Sequence, residues 1–166
     1  MRKIDEIGLK LCKMQADVFS ASANETNCSS PIFMRRSMNS QVAQRMDLGG
    51  FLFEACDVNR IFEEIDAEFG ESSYGKEKYS EAELYWIGYI YRYWSYTYQK
   101  TSKQIYKFIK PKELRSLYYP YHSLDPAQAI ERILEAKGVD EKDMTARGVE
   151  IMREIMKNER KIPPVG

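Results

Sequence analysis

Between Lys100 and Arg115 six cations (Lys100, Lys103, Lys107, Lys110, Lys112 and Arg115) meet one carboxylate, Glu113. Cations at helical spacing suit one task above others, the gripping of phosphates or carboxylates. Lys100, Lys103 and Lys107 lie beside Tyr98, Tyr106 and Phe108, so the segment offers charges to a nucleic-acid backbone and rings on which bases stack. Nucleic-acid binding through Lys100, Lys103, Lys107 and Lys110 is therefore one reading. The short, capped turn before these residues also suits a helix-turn-helix, but no second helix with base-reading side chains follows it. An ordinary solvated helix face explains the same lysines. Upstream the balance reverses: from Glu54 to Glu83 ten carboxylates face three cations, Arg60, Lys76 and Lys78. Such a bipolar surface can steer and dock a charged partner.

Acid–base chemistry has fewer candidates. His122 is the only histidine, which excludes a two-histidine metal site within one chain. Arg115 precedes it by seven residues in RSLYYPYH, a spacing similar to the arginine–histidine motif of small helical ribonucleases. There the motif sits on one helix and both heads converge on a phosphate, whereas Pro120 interrupts the spacing here, so a hydrogen-bonded structural histidine stands beside that reading. Glu63, Glu64 and Asp66 lack the glycine-turn loop of a calcium site. No metal or cofactor is implied. No Gly-rich phosphate loop, nucleophile elbow or kinase signature is present. Cys12, Cys28 and Cys56 are odd in number and outside any CxxC; they read as reduced, packed thiols. Arg35 and Arg36 follow SSPIFM at the apparent start of a helix, where cations oppose the dipole, so either a site or a pairing with the acidic helix explains them.

The elements that position these groups are helical. Ile4, Ile7, Leu11, Met14 and Val18 predict an amphipathic helix over residues 2–22. Ser30-Pro31 starts a second, lined by Met34, Met38, Val42 and Met46 and ending near Gly49-Gly50. A third runs from about Asp57 to Phe69 and closes at Gly70. The most distinctive block is LYWIGYIYRYWSYTY at residues 84–98, in which eight of fifteen residues are tyrosine or tryptophan and Arg92 is the single charge. Ser80–Glu83 forms a capping box that launches it, and Thr101–Gln104 repeats the signal for a helix reaching about Ile109. Leu84, Ile87, Ile90, Tyr91 and Trp94 are expected in the core, with Tyr85, Tyr89, Arg92 and Tyr96 left on a face open to a ligand or partner. A short helix from Pro111 to about Leu117 is followed by irregular chain around Pro120. Helices from Asp125-Pro126 to Gly138, with Ile130, Ile133 and Leu134 inward, and from about Glu141, with Gly148, Ile151, Met152 and Ile155 inward, complete the set.

No period-two alternation marks a strand. The expected fold is all-α: one compact domain of seven or eight helices around the aromatic helix, over residues 1–157, with a frayed tail over 158–166. Zero net charge argues against a surface built wholly to grip nucleic acid. The absence of a long apolar run or export signal in the sequence reads as a cytoplasmic chain that does not enter a membrane.

Two stretches, SSPIFMRRSMNSQVAQRMD (29–47) and ELYWIGYIYRYWSYTYQKTSKQIYKFIKPKELRSLYYPYHSLDPAQAIERILE (83–135), resemble a family of small uncharacterised bacterial proteins, mainly from Firmicutes, encoded near predicted ADP-ribosyltransferase-type toxins. The resemblance implies an antitoxin-like protein whose partner is a toxin encoded nearby, and it supplies no catalytic residues. Under it, Arg35, Arg36, Tyr85, Tyr89, Arg92, Tyr96 and Lys103 are the candidate contacts, since Tyr and Arg anchor such interfaces.

Overall fold

The aromatic block forms α5 (Glu81–Tyr98). Ser80 and Glu83 satisfy each other's end of the backbone in the expected capping box, and Gln99, at φ 55°, turns the chain out at the far end. Leu84, Ile87, Ile90, Tyr91 and Trp94 are all fully buried, as their spacing predicts. The computed structural model describes residues 1–49, 57–140 and 144. Among these the fold is all-α, with eight helices and no strand.

α1 (Glu6–Glu25), capped by Asp5, lies along α5 in the dominant helix pairing. Two glycines permit the approach. A Cβ at Gly88 of α5 would stand 2.9 Å from Phe19 Cγ and 3.0 Å from the Gln15 carbonyl oxygen, and one at Gly8 of α1 would stand 2.5 Å from Tyr96 Cε1. Close backbone approach of this kind buries long apolar stripes at native density.

The segment read as one helix from Ser30 to Gly49 is two: α2 (Ser30–Met38) and α3 (Gln41–Asp47). Ser40 is the reason. Its hydroxyl accepts from the Ala43 amide and caps a new helix, while the Asn39 side chain bonds the Arg35 carbonyl behind it. The break moves Arg35 and Arg36 from a helix start to the last turn of α2, where cations complement the dipole.

α4 (Val58–Phe69) is capped by Asp57 and closed by Gly70 at φ 82°. α6 (Ser102–Phe108) begins at the Thr101–Gln104 capping box. α7 (Pro111–Tyr121) runs past its expected end at Leu117 and carries Pro120 inside its last turn. Proline there removes one bond, to the Ser116 carbonyl, and since both residues are exposed water can serve that carbonyl instead. α8 (Pro126–Ala136) follows, and Gly138 at φ 68° ends it. Ile130, Ile133 and Leu134 are buried.

By contact density the chain divides into Met1–Ile130 and Glu131–Gly166, within α8. The first unit holds α1 to α7. In the second, the Val139 amide bonds the Leu134 carbonyl across the Gly138 turn. The expected helix from Glu141, its core positions Gly148, Ile151, Met152 and Ile155, the tail 158–166, Gly50 and Cys56 lie outside the described residues. No helix of the described residues is long and apolar enough to cross a membrane.

Candidate functional site

Arg92 is the largest departure from the expected partner face. It is 1% exposed and sits inside the α1–α5 packing. Its Nη1 donates to Asp47 Oδ1 at 2.6 Å, Nε and Nη2 donate to Gln15 Oε1 at 3.1 and 2.8 Å, and Nη2 also donates to Ser102 Oγ at 2.9 Å. Asp47 in turn accepts from the Ser102 hydroxyl and amide at 2.7 and 3.0 Å, and Gln15 donates to the Gly88 carbonyl at 2.9 Å. One guanidinium thus joins α1, α3, α5 and α6, and a buried charge of this kind persists only when its donors are so matched.

Of the rest of the proposed aromatic platform, Tyr96 is engaged by the chain's own N-terminus and Tyr89 by rings of its own helix. Tyr96 donates its hydroxyl to Asp5 Oδ1 at 2.5 Å, and the Arg2 guanidinium lies 3.8 Å over its ring. The Tyr96 bond, with the Gly8 amide, holds the Asp5 carboxyl below its usual range. Tyr89 is half-buried and stacked between Tyr85 and Tyr93 at centroid distances of 6.3 and 6.4 Å. Tyr85 alone of the four stays open, at 37%. Cys12 beneath them is fully buried, and burial pushes its thiol up to about 12, so it is protonated and inert at neutral pH.

Arg36 is also spent within the fold: it donates to the Gly70 and Phe69 carbonyls at the end of α4 and lies 3.9 Å from Asp66. Arg35 points outward from the same turn and is exposed.

Arg115 and His122 do lie on one helix or its cap, because Pro120 does not break α7; the expected interruption is corrected. Their heads serve other groups. Arg115 donates to Glu83 Oε2 at 3.0 Å and to Glu77 Oε1 at 3.4 Å, with its guanidinium 4.1 Å over the Tyr79 ring. His122 donates from Nδ1 to the Tyr118 carbonyl at 2.9 Å, which fixes its tautomer, and stacks on Tyr118 at 4.5 Å. A guanidinium held by two carboxylates is electrostatically poor at receiving a phosphate.

The basic segment divides in two. Lys100 belongs to the α5–α6 corner, where burial holds its ammonium below the ordinary 10.5 and its carbonyl accepts from Ser95. Lys103, Lys107, Lys110 and Lys112 are exposed and make no ion pair among the described residues. Lys110 Nζ sits 4.2 Å over the Tyr106 ring. The flanking rings are otherwise engaged: Tyr98 is buried at 6.3 Å from Trp94, and Phe108 meets Trp94 edge-on at 5.6 Å. Among the described residues no group of three or more His, Cys, Asp or Glu side chains could hold a metal ion. Sequence reasoning missed Asp47, Gln15 and Ser102; the one available signal was that a lone cation inside an aromatic block requires a carboxylate from elsewhere.

No family model, curated protein or solved structure matches the chain.

Proposed function

We propose that the protein acts by binding, as an antitoxin-like partner that docks on and neutralises a toxin encoded nearby. The observation that carries this reading is where the strong hydrogen-bonding heads go. Arg92, Arg36, Arg115 and His122, the groups best suited to chemistry on a phosphate, are each committed to internal carboxylates or carbonyls. Side chains left outward, such as Arg35, Tyr85 and Tyr119 at 86% exposure, are of the types enriched where a partner's surface is met, and Lys103 beside them adds charge at the rim.

Co-expression of the chain with the product of each adjacent gene tests it. The expected outcome is a complex that survives gel filtration and a rescue of growth when the neighbour alone is toxic. Failure of every neighbour to co-elute, with no rescue, removes the reading.

A further inference from the structure

The outward cations gather on one surface. Tyr106 and Lys107 stand three and four residues after Lys103 and so share a face of α6 with it, and Lys110, at the N-cap of α7, lies over the Tyr106 ring. Lys112 stands in the first turn of α7, and α2, whose last turn carries Arg35, packs against both helices. Arg35 lies close enough to Tyr106 for its charge to be felt by the phenol. Tyr106 is therefore a half-buried ring with an ammonium over one face and a guanidinium nearby.

We infer that this α2–α6–α7 face docks an acidic patch of a partner protein, anchored at Arg35 and the Lys110–Tyr106 pair and steered by Lys103, Lys107 and Lys112. The inference rests on the binding reading above and specifies its surface. The same cations also suit nucleic acid, and two observations favour protein. First, a single strand needs open rings, yet Tyr98 is buried, Phe108 is turned edge-on into Trp94, and Lys110 covers Tyr106. Second, the patch is bounded. Glu113 follows Lys112 in the first turn of α7, and one turn further on Arg115 carries Glu77 and Glu83 with it. A polyanion laid along the lysines would reach these carboxylates within a Debye length of about 8–10 Å. A compact acidic surface would stop short of them. Arg35 supplies the planar fork that a carboxylate takes bidentately, and the lysines supply the field that speeds encounter.

The test uses the full chain with the neighbouring gene product and two charge-reversal variants, R35E/K107E and K103E/K112E, whose melting temperatures serve as the folding control. A labelled twelve-nucleotide oligo-dT is run beside them by anisotropy. The expected result is a complex weakened at least tenfold by R35E/K107E, with an association rate that falls about tenfold between low and high salt. A complex formed equally well by both variants overturns the docking surface and leaves the binding function standing. Oligo-dT binding that is tighter than partner binding and lost in the same variants assigns the face to nucleic acid and overturns the inference. Absence of any complex sinks the function and the surface together.

Discussion

The acidic stretch around α4 and the basic stretch from α6 into α7 carry opposite charge in similar density, yet the fold treats them differently. Four carboxylates of the acidic stretch are paired from outside it, Glu64 with Arg45, Asp66 with Arg36, and Glu77 and Glu83 with Arg115, and Glu64 also meets Arg60 within α4. Glu68 accepts the Gln41 amide at 2.9 Å and Glu81 the Asn24 side chain at 2.6 Å. Among the described residues the lysines Lys103, Lys107 and Lys112 receive no such attention. The division follows side-chain chemistry. Arginine's planar fork can bond a carboxylate and a carbonyl, or lie over a ring, without full hydration, so it staples helices together. Lysine's compact ammonium holds its water and stays outside unless a partner replaces that water.

Arg92 is the extreme case on the arginine side and gives the largest expected effect. Asp47→Ala leaves the guanidinium buried with its countercharge gone and should cost about 3 kcal/mol in urea unfolding, near the lower bound for breaking a buried pair. The double variant Arg92→Met with Asp47→Asn removes both charges and should recover at least half of that loss. A cost below about 1 kcal/mol for Asp47→Ala would show that the buried arginine is not the staple described. Gly88→Ala ranks next. Its methyl meets Phe19 and the Gln15 carbonyl at 2.9–3.0 Å, so α1 must shift. Overpacking against a backbone carbonyl at this distance falls at the upper end of its range, about 2–3 kcal/mol, and better helix propensity returns about 1, for a net loss of about 1–2 kcal/mol. Equal stability of this variant would mean that the two helices are not held at glycine distance.

Arg115 belongs to the half-exposed staples, and pH separates its role from packing. Burial pushes the Glu83 carboxyl up, but the Ser80 backbone amide and the Arg115 guanidinium outweigh it and hold the group below the ordinary 4.5. A carboxyl whose folded pKa is depressed contributes stability that is present above 4.5 and lost as pH falls through the folded value. Arg115→Ala should therefore lose about 0.5–1 kcal/mol at pH 7, and the gap to the parent chain should narrow in melts at pH 3. A gap unchanged between the two pH values would assign the loss to Tyr79 packing instead.

How far these features were legible in the sequence follows from their range. The ends of α5 and α6 could be read from Ser80–Glu83 and Thr101–Gln104 because capping boxes are local, and both formed. The buried residues Leu84, Ile87, Ile90, Tyr91 and Trp94 follow from periodicity and an apolar face. Two readings failed on local competition: Ser40 caps a new helix inside an apolar pattern that continues across it, and Pro120 is tolerated because only one exposed carbonyl loses its partner. Arg92 failed for a longer-range reason. It shares a helical face with Tyr85, Tyr89 and Tyr96, and nothing local distinguishes a cation facing water from one facing Asp47, which is 45 residues away in sequence. Of the basic run, Lys100 is drawn into the α5–α6 corner, whereas Lys103, Lys107 and Lys112 stay exposed with no tertiary partner among the described residues.

The last prediction concerns those lysines and is the smallest in stability. Replacing Lys103, Lys107 and Lys112 together by glutamine removes three exposed charges that no carboxylate among the described residues answers. Glutamine is nearly as good a helix former as lysine, and surface changes away from caps and cores stay within about 0.5 kcal/mol. The urea midpoint should thus remain where it is, and relief of mutual repulsion on α6 could raise it slightly, most visibly at low salt. Asp47→Ala, which removes one charge, and the triple lysine variant, which removes three, then form the two ends of one experiment: the number of charges matters little, and their position inside or outside the fold decides the outcome. A loss above about 1 kcal/mol in the triple variant would mean that the lysines are structural after all, and the contrast between stapling arginines and outward lysines would fall with it.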